Sequence, residues 1–326
     1  MRKKLLQNGA IILTLTAFAM LAARPRAAAE AVVLALRLCA ASIIPALFPF
    51  FVLSGLLQGL GTACLLGRVM RRPMRRLFGL SGEACLPFII GLTGGYPLGA
   101  AAAAGLVRSG AVSAREGERM LPFCNNTGPA FIIGAAGCGV FGSAGAGAAL
   151  YGVHILAAVL TGLIFSAGRR YTPAPLFREK EALCSPASVL TQSVKSAGAS
   201  CLNVCCFVVF FSVVRAMSDE WGLFSGTAGY ICTHFGLELR LVRALLTGIL
   251  ELGGGIASMS GLSGSPVNLA AASFMLGFGS LSVHCQTLAA VAGTDMKCAR
   301  HFAGRMLHGV FSAVFTFLLS SLLLRI

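Results

Sequence analysis

Gly94-Gly95-Tyr96-Pro97-Leu98-Gly99 interrupts an apolar stretch over residues 84–107, and Glu251-Leu252-Gly253-Gly254-Gly255 interrupts another over residues 241–262. Pro has no amide donor and Gly gives up much backbone freedom in a helix, so both stretches are predicted to unwind near their centres. Non-helical backbone at membrane depth survives only where protein buries it or water reaches it. Each interruption therefore reads as the tip of a re-entrant hairpin and a candidate cavity lining.

Further apolar stretches surround the two hairpins, at residues 11–23, 32–60, 122–149, 151–167, 188–216, 267–292 and 306–324. A helix needs about 20 such residues to cross a bilayer. Of the 326 residues 56% are hydrophobic and only 11% charged, against about 25% charged in soluble domains. Too few charges remain to cover a water-facing surface, and an all-α polytopic membrane protein follows, with about seven spanning helices and two hairpins. The net charge of +15 would suggest nucleic acid in a soluble chain; here it belongs to loops beside the membrane, and no nucleic-acid partner is expected.

The chain resembles itself at a nearly constant offset. At 158 residues, Arg37 falls on Lys195, Ser54 on Ser212, and Gly94 near Gly253; at 155, Phe123 falls on Phe278, Thr161 on Thr316 and Leu163 on Leu318. Two copies of one unit are implied, residues 30–168 and 188–326, after an N-terminal helix or signal anchor at 1–29 and joined by a basic linker at 169–187. With re-entrant hairpins, 18 cations fall on the cytoplasmic side, among them Arg68, Arg71, Arg72, Arg75, Arg76 and Arg305. Six fall outside, and Arg37 and Lys195 lie within spans. That asymmetry fits the positive-inside rule and makes the repeats inverted, as in many secondary transporters, with a substrate site near the midplane.

Polar groups within the spans are the site candidates. Arg37 and Lys195 occupy equivalent places, and two cations converging on a midplane site suit an anionic substrate. Glu251 is the acid inside the second hairpin and is read as a proton carrier, a cation ligand or a counter-charge. Asn125, Asn126 and Thr127 precede Gly128-Pro129 and are predicted to sit on unwound backbone; Ser282, His284 and Gln286 occupy the matching region of the second copy. Gly95, Tyr96 and Gly254 complete the set at the hairpin tips.

Other chemistries find little footing. The 12 cysteines show no Cys-x-x-Cys spacing and the five histidines are dispersed, so neither a disulfide framework nor a metal site is expected. Residues 91–99 are not a phosphate loop, since no Gly-Lys-Ser or Gly-Lys-Thr follows. No nucleophile, base and orienting acid share plausible spacing, so neither enzymatic activity nor a cofactor is expected. Ser113 and Glu116 read as a capping box that opens a short surface helix.

The two hairpin motifs, together with Phe123-Cys124-Asn125-Asn126-Thr127-Gly128-Pro129, Phe278-Gly279-Ser280-Leu281-Ser282-Val283-His284-Cys285-Gln286 and Arg305-Met306-Leu307-His308-Gly309, resemble the YlbJ-type family of sporulation integral membrane proteins, within the nucleoside-recognition or Gate group. The resemblance covers roughly residues 30–320. It implies a transporter fold and movement of dipicolinate, a flat aromatic dianion, across the outer forespore membrane. A nucleoside carrier, using Asn125, Asn126, Gln286 and Glu251, is the alternative; a non-transporting scaffold in spore assembly is another. Whether transport is passive or coupled to a proton or sodium ion stays open, as does a homodimer.

Overall fold

The computed structural model describes residues 2–167 and 185–323, and among these every regular element is helical. The basic linker at 169–187 lies almost wholly outside the described residues. The protein is an all-α polytopic membrane protein.

In the first half, α1 (Arg2–Ala23) gives way to α2 (Pro25–Leu38), whose first residue is a Pro at the position where its missing amide costs nothing. A wide turn (Cys39–Ile43) leads into α3 (Ile44–Gly59). Gly61, at φ 73°, then turns the chain, and α4 (Thr62–Pro73) with its continuation to Phe78 leaves at 81° to α3. This segment carries Arg68, Arg71, Arg72, Arg75 and Arg76 while burying Ala63, Gly67, Met74 and Phe78, the pattern of a helix lying in the interface.

The first hairpin is α5 (Cys85–Gly94) and α6 (Leu98–Arg108), turned at Gly95 with φ 85°. Next, α7 (Ala114–Cys124) starts at Ser113, whose hydroxyl accepts the amide of Glu116 at 3.2 Å. The capping box is only half formed. The Glu116 carboxylate accepts the amide of Ser81 instead of returning to Ser113, and α7 is a buried helix rather than a surface one. Backbone without regular structure at 125–129 separates α7 from a wide helix (Ala130–Val140), and α8 (Ala144–Ser166) closes the half.

The second half repeats the succession: a long helix α9 (Pro186–Glu220), a short crossing helix α10 (Leu223–Phe235), a hairpin of α11 (Leu239–Leu250) and α12 (Leu252–Ala257), a broken span of α13 (Pro266–Phe278) and α14 (Leu281–Val291), and an unbroken α15 (Ala299–Leu323). The second hairpin breaks at Glu251 (φ −143°, ψ 119°) and not at the glycines, which are helical. Their role is proximity: a Cβ on Gly255 would overlap the backbone of Gly248 across the hairpin.

Among the described residues four helices are long and apolar enough to span, Ala144–Ser166, Pro186–Glu220, Pro266–Val291 and Ala299–Ser320, and the count reaches six only if each of two bent pairs, one of them α3 with the interfacial α4, is taken as one span. The seventh expected span is divided by the break at 125–129 into two pieces, each too short alone. Lipid supplies no hydrophobic force between helices, so close approach has to do the packing. Accordingly Gly55 and Gly59 of α3 lie against Ser193 and Val189 of α9, Gly277 of α13 against Gly309 of α15, and Gly91 and Gly99 against the Cys124 carbonyl.

Candidate functional site

The tip of the first hairpin and the breaks of both divided spans meet at the centre of the molecule. Breaking a helix frees backbone carbonyls and amides that must find partners. At the first break, Thr127 Oγ1 donates to the Leu276 carbonyl at 2.8 Å, and Asn125 Nδ2 donates to Thr287 Oγ1 at 2.8 Å. Asn125 Oδ1 accepts the Ala100 amide at 3.4 Å, tying the break to the hairpin as well. From the hairpin tip, the Tyr96 hydroxyl donates to the same Leu276 carbonyl at 3.2 Å.

Into this junction α15 delivers Arg305, whose relative exposure is 0%. Nη1 donates to Asn126 Oδ1 at 3.2 Å and to His308 Nδ1 at 2.7 Å; Nη2 donates to the Tyr96 hydroxyl and the Gly277 carbonyl; the guanidinium lies 5.2 Å from the Tyr96 ring centroid. Nε is buried and has no partner among the described residues. No carboxylate among the described residues pairs with Arg305. A buried ion normally costs several kcal/mol unless an opposite charge compensates it. Here neutral dipoles alone hold a whole positive charge.

Four of the five histidines, dispersed in sequence, gather around this arginine. His301, Arg305 and His308 share one face of α15 at i, i+4 and i+7, and all are fully buried. His154 of α8 accepts the Thr127 amide at Nε2, 3.2 Å, while its carbonyl accepts from His308 Nε2 at 3.0 Å. On the other side of Arg305, His284 of α14 meets His301 at 3.1 Å. Among the described residues no group of three His, Cys, Asp or Glu side chains is placed to hold a metal.

Of the residues singled out from sequence, Gly95, Tyr96, Asn125, Asn126, Thr127 and His284 sit in or against this centre, and Ser282 and Gln286 are buried beside it on α14, joined at 3.2 Å. Glu251 is engaged locally, its carboxylate capping α12 through the amides of Gly253, at 2.8 Å, and Gly254. Arg37 and Lys195 are not brought to the centre. Each lies two residues from the buried stripe of its helix, Ala35 of α2 with Cys39 just beyond it, and Ser193 and Ala197 of α9, which at about 100° per residue turns it to the opposite face. Arg37 lines a shallow groove with Arg26 and Glu30.

The sequence places Arg305 among the cytoplasmic loop cations, and the structure corrects this: α15 begins at Ala299, well before the apolar run at Met306, so Arg305 is inside the helix. A signal for it exists in the sequence. His301, Arg305, His308, Ser312, Thr316 and Ser320 form a polar stripe at helical spacing, and the structure buries all six.

A cleft of about 590 Å³ opens between α3, α6 and α9, lined by Ser54, Gln58, Gln192, Ser193, Ser196 and Ser200 among others. Its wall includes Leu98 and Ala101, the start of the helix that follows the hairpin tip, and Arg108. Hydroxyl and amide groups facing one another between spans make a water-compatible approach from the Arg108 side.

Comparison with known proteins agrees with this architecture. The Gate family, described as nucleoside recognition, matches residues 40–170. The chain is 32% identical over 321 residues to the sporulation integral membrane protein YlbJ of Bacillus subtilis (strain 168), covering 90% of this chain and 78% of that protein. No solved structure matches.

Proposed function

The chain belongs to the family of the sporulation integral membrane protein YlbJ, and from that membership we propose that it is a transporter of a small anionic aromatic metabolite, dipicolinate above all, in the outer forespore membrane. The observation that carries this reading is Arg305: a fully buried guanidinium without an acid, held by neutral groups from the hairpin tip and both broken spans. Arg recognises a carboxylate through two parallel N–H donors, and an anion arriving there supplies the missing charge. The Tyr96 ring beside the guanidinium offers a flat face to a flat solute. Exchanging neutral partners for a carboxylate pulls on the hairpin and both breaks together, which links binding to rearrangement.

A second reading keeps the fold and changes the solute. The match to a family described as nucleoside recognition, and the amides and hydroxyls of Asn125, Thr127 and Thr287 around the breaks, favour a neutral hydrogen-bonding substrate. Purified protein in liposomes separates the two. Uptake of labelled dipicolinate that nucleosides do not compete with supports the anion; uptake of nucleoside, unaffected by dicarboxylates, overturns it.

A further inference from the structure

The histidine pair beside Arg305 has hydrogen positions that its neighbours dictate. His301 Nδ1 faces the Leu121 carbonyl at 3.4 Å, an acceptor, so Nδ1 carries the hydrogen and Nε2 offers a lone pair. His284 Nδ1, 3.1 Å from that lone pair, must then carry a hydrogen, which leaves a bare lone pair on His284 Nε2. That atom is buried and has no partner among the described residues. The rings of Phe278 and Phe302 flank it. A buried basic nitrogen without a donor, one hydrogen bond from a second imidazole, is a place for one more proton.

We propose that the His284–His301 pair takes up one proton with each anion bound at Arg305, making the protein a proton–anion symporter. This rests on the anion reading above. A proton from water adds to His284 Nε2; the hydrogen on His284 Nδ1 can pass to His301 Nε2, and His301 Nδ1 keeps its hydrogen on the Leu121 carbonyl. One positive charge is then shared by two rings, and the reverse transfer returns one proton to water. His301 is the third residue of α15, close to Lys297 and Arg300, so this end of the pair is the nearer to bulk solvent on the cytoplasmic side.

Coupling follows from charge. Arg305 is one helical turn from His301, about 6 Å, and at an effective permittivity of about 20 two unit charges at that distance change each other's binding on the order of a hundredfold. An anion on Arg305 cancels that repulsion, and by linkage a proton on the pair strengthens anion binding by the same factor. The other two imidazoles of the cluster have their lone pairs engaged: His154 Nε2 accepts the Thr127 amide, and His308 Nδ1 accepts from Arg305. On α7 there are the Cys124 thiol, Glu116, which accepts the Ser81 amide, Arg119, which donates to the Phe78 carbonyl at 2.9 Å, and, at the outer end, Glu118, which accepts the Lys297 amide at 3.0 Å. On α6, Arg108 is bound to the carbonyls of Ala290 and Ala292. On α9 no acid or base lies between Lys195 and Arg215, only thiols such as Cys201 and Cys205. On α11, Arg240 holds the Ser260 carbonyl and Arg243 holds Asp219.

Two channels recorded together test this: labelled dipicolinate uptake and lumen pH, in liposomes carrying the purified full-length protein. An inward dipicolinate gradient is expected to acidify the lumen, and an acidic exterior to speed uptake. Calorimetry of dipicolinate binding in buffers of different ionisation heat is expected to show uptake of about one proton per anion. His284→Gln, which keeps a donor for His301 Nε2 but has no basic nitrogen to hold the proton, is expected to take up no proton on dipicolinate binding and to abolish acidification. Uptake with an unchanged lumen pH, binding without proton uptake, or a folded His284→Gln protein that still acidifies overturns the coupling while leaving the anion reading intact. Absence of both dipicolinate binding and uptake overturns the two together.

Discussion

Thr127 Oγ1 donates to the Leu276 carbonyl at 2.8 Å, so the break in one half of the chain is bonded directly to the last turn before the break in the other. A carbonyl freed near the end of α13 thereby finds a donor 149 residues away, and the two interruptions hold each other in place. Thr127→Val keeps the shape and removes the donor. Because the Tyr96 hydroxyl still donates to that carbonyl, the change is expected to lower stability by about 0.5–1.5 kcal/mol, the net worth of one hydrogen bond, with Thr127→Ser recovering most of it. Thermal unfolding in detergent reads both.

Arg305 separates stability from function. Removing a buried charge that no opposite charge balances relieves a desolvation penalty but leaves Asn126 Oδ1, His308 Nδ1 and the Gly277 carbonyl without their donor, so the two effects offset and Arg305→Met is expected to melt close to the parent and to lose dipicolinate binding by about a hundredfold, the equivalent of about 2.8 kcal/mol. Arg305→Lys keeps the charge but lacks the two-pronged geometry, and it is expected to rescue binding poorly. Binding isotherms beside melting curves on the same preparations check this, and a destabilised Arg305→Met protein with normal binding contradicts it.

Arg37 and Lys195 lie on faces turned from the centre, and side chains of this length can run along an apolar surface to bring a charged head to water. Arg37→Ala and Lys195→Ala are each expected to leave uptake within about twofold of the parent. A tenfold loss in either, with the protein folded, would restore these residues to the transport path.

The glycines divide sharply. A Cβ on Gly99 would overlap the Cys124 carbonyl, which is backbone and cannot swing aside, whereas Gly198 in the middle of α9 has nothing within 4 Å. Gly99→Ala is expected to disrupt the hairpin and destabilise strongly; Gly198→Ala is expected to stabilise by about 0.5–1 kcal/mol through helix propensity. Melting temperatures of the two variants decide it.

What the sequence made legible was whatever local chemistry writes down. Gly95-Tyr96-Pro97 and Asn125 to Pro129 break helices for reasons internal to those residues, and both breaks lie where they were expected. Gly253-Gly254-Gly255 misled because glycine permits two things, unwinding and close approach, and only the position of Gly248 across the hairpin selects the second. Arg305 was hidden by a different ambiguity. A cation within two turns of a loop counts as a loop residue in any tally of sides, and its burial depends on where α15 starts and on what α7, α8 and α13 place around it. The histidine cluster was out of reach for the same reason, since His154, His284 and His308 are joined only by tertiary contacts.

The interfacial helix α4 has a consequence for depth. Gly67 of α4 lies against the backbone of Gly82, and the chain then enters the hairpin through α5, which has ten residues. At about 1.5 Å per residue α5 descends at most about 15 Å, half of a hydrocarbon layer of about 30 Å. The arginine-bearing helix thus works as a plumb line that fixes how far Tyr96 hangs below the headgroups. A bilayer several ångströms thicker would leave that ring, and the charge resting on it, short of the centre, so the thickness of the host membrane sets the depth at which Arg305 sits.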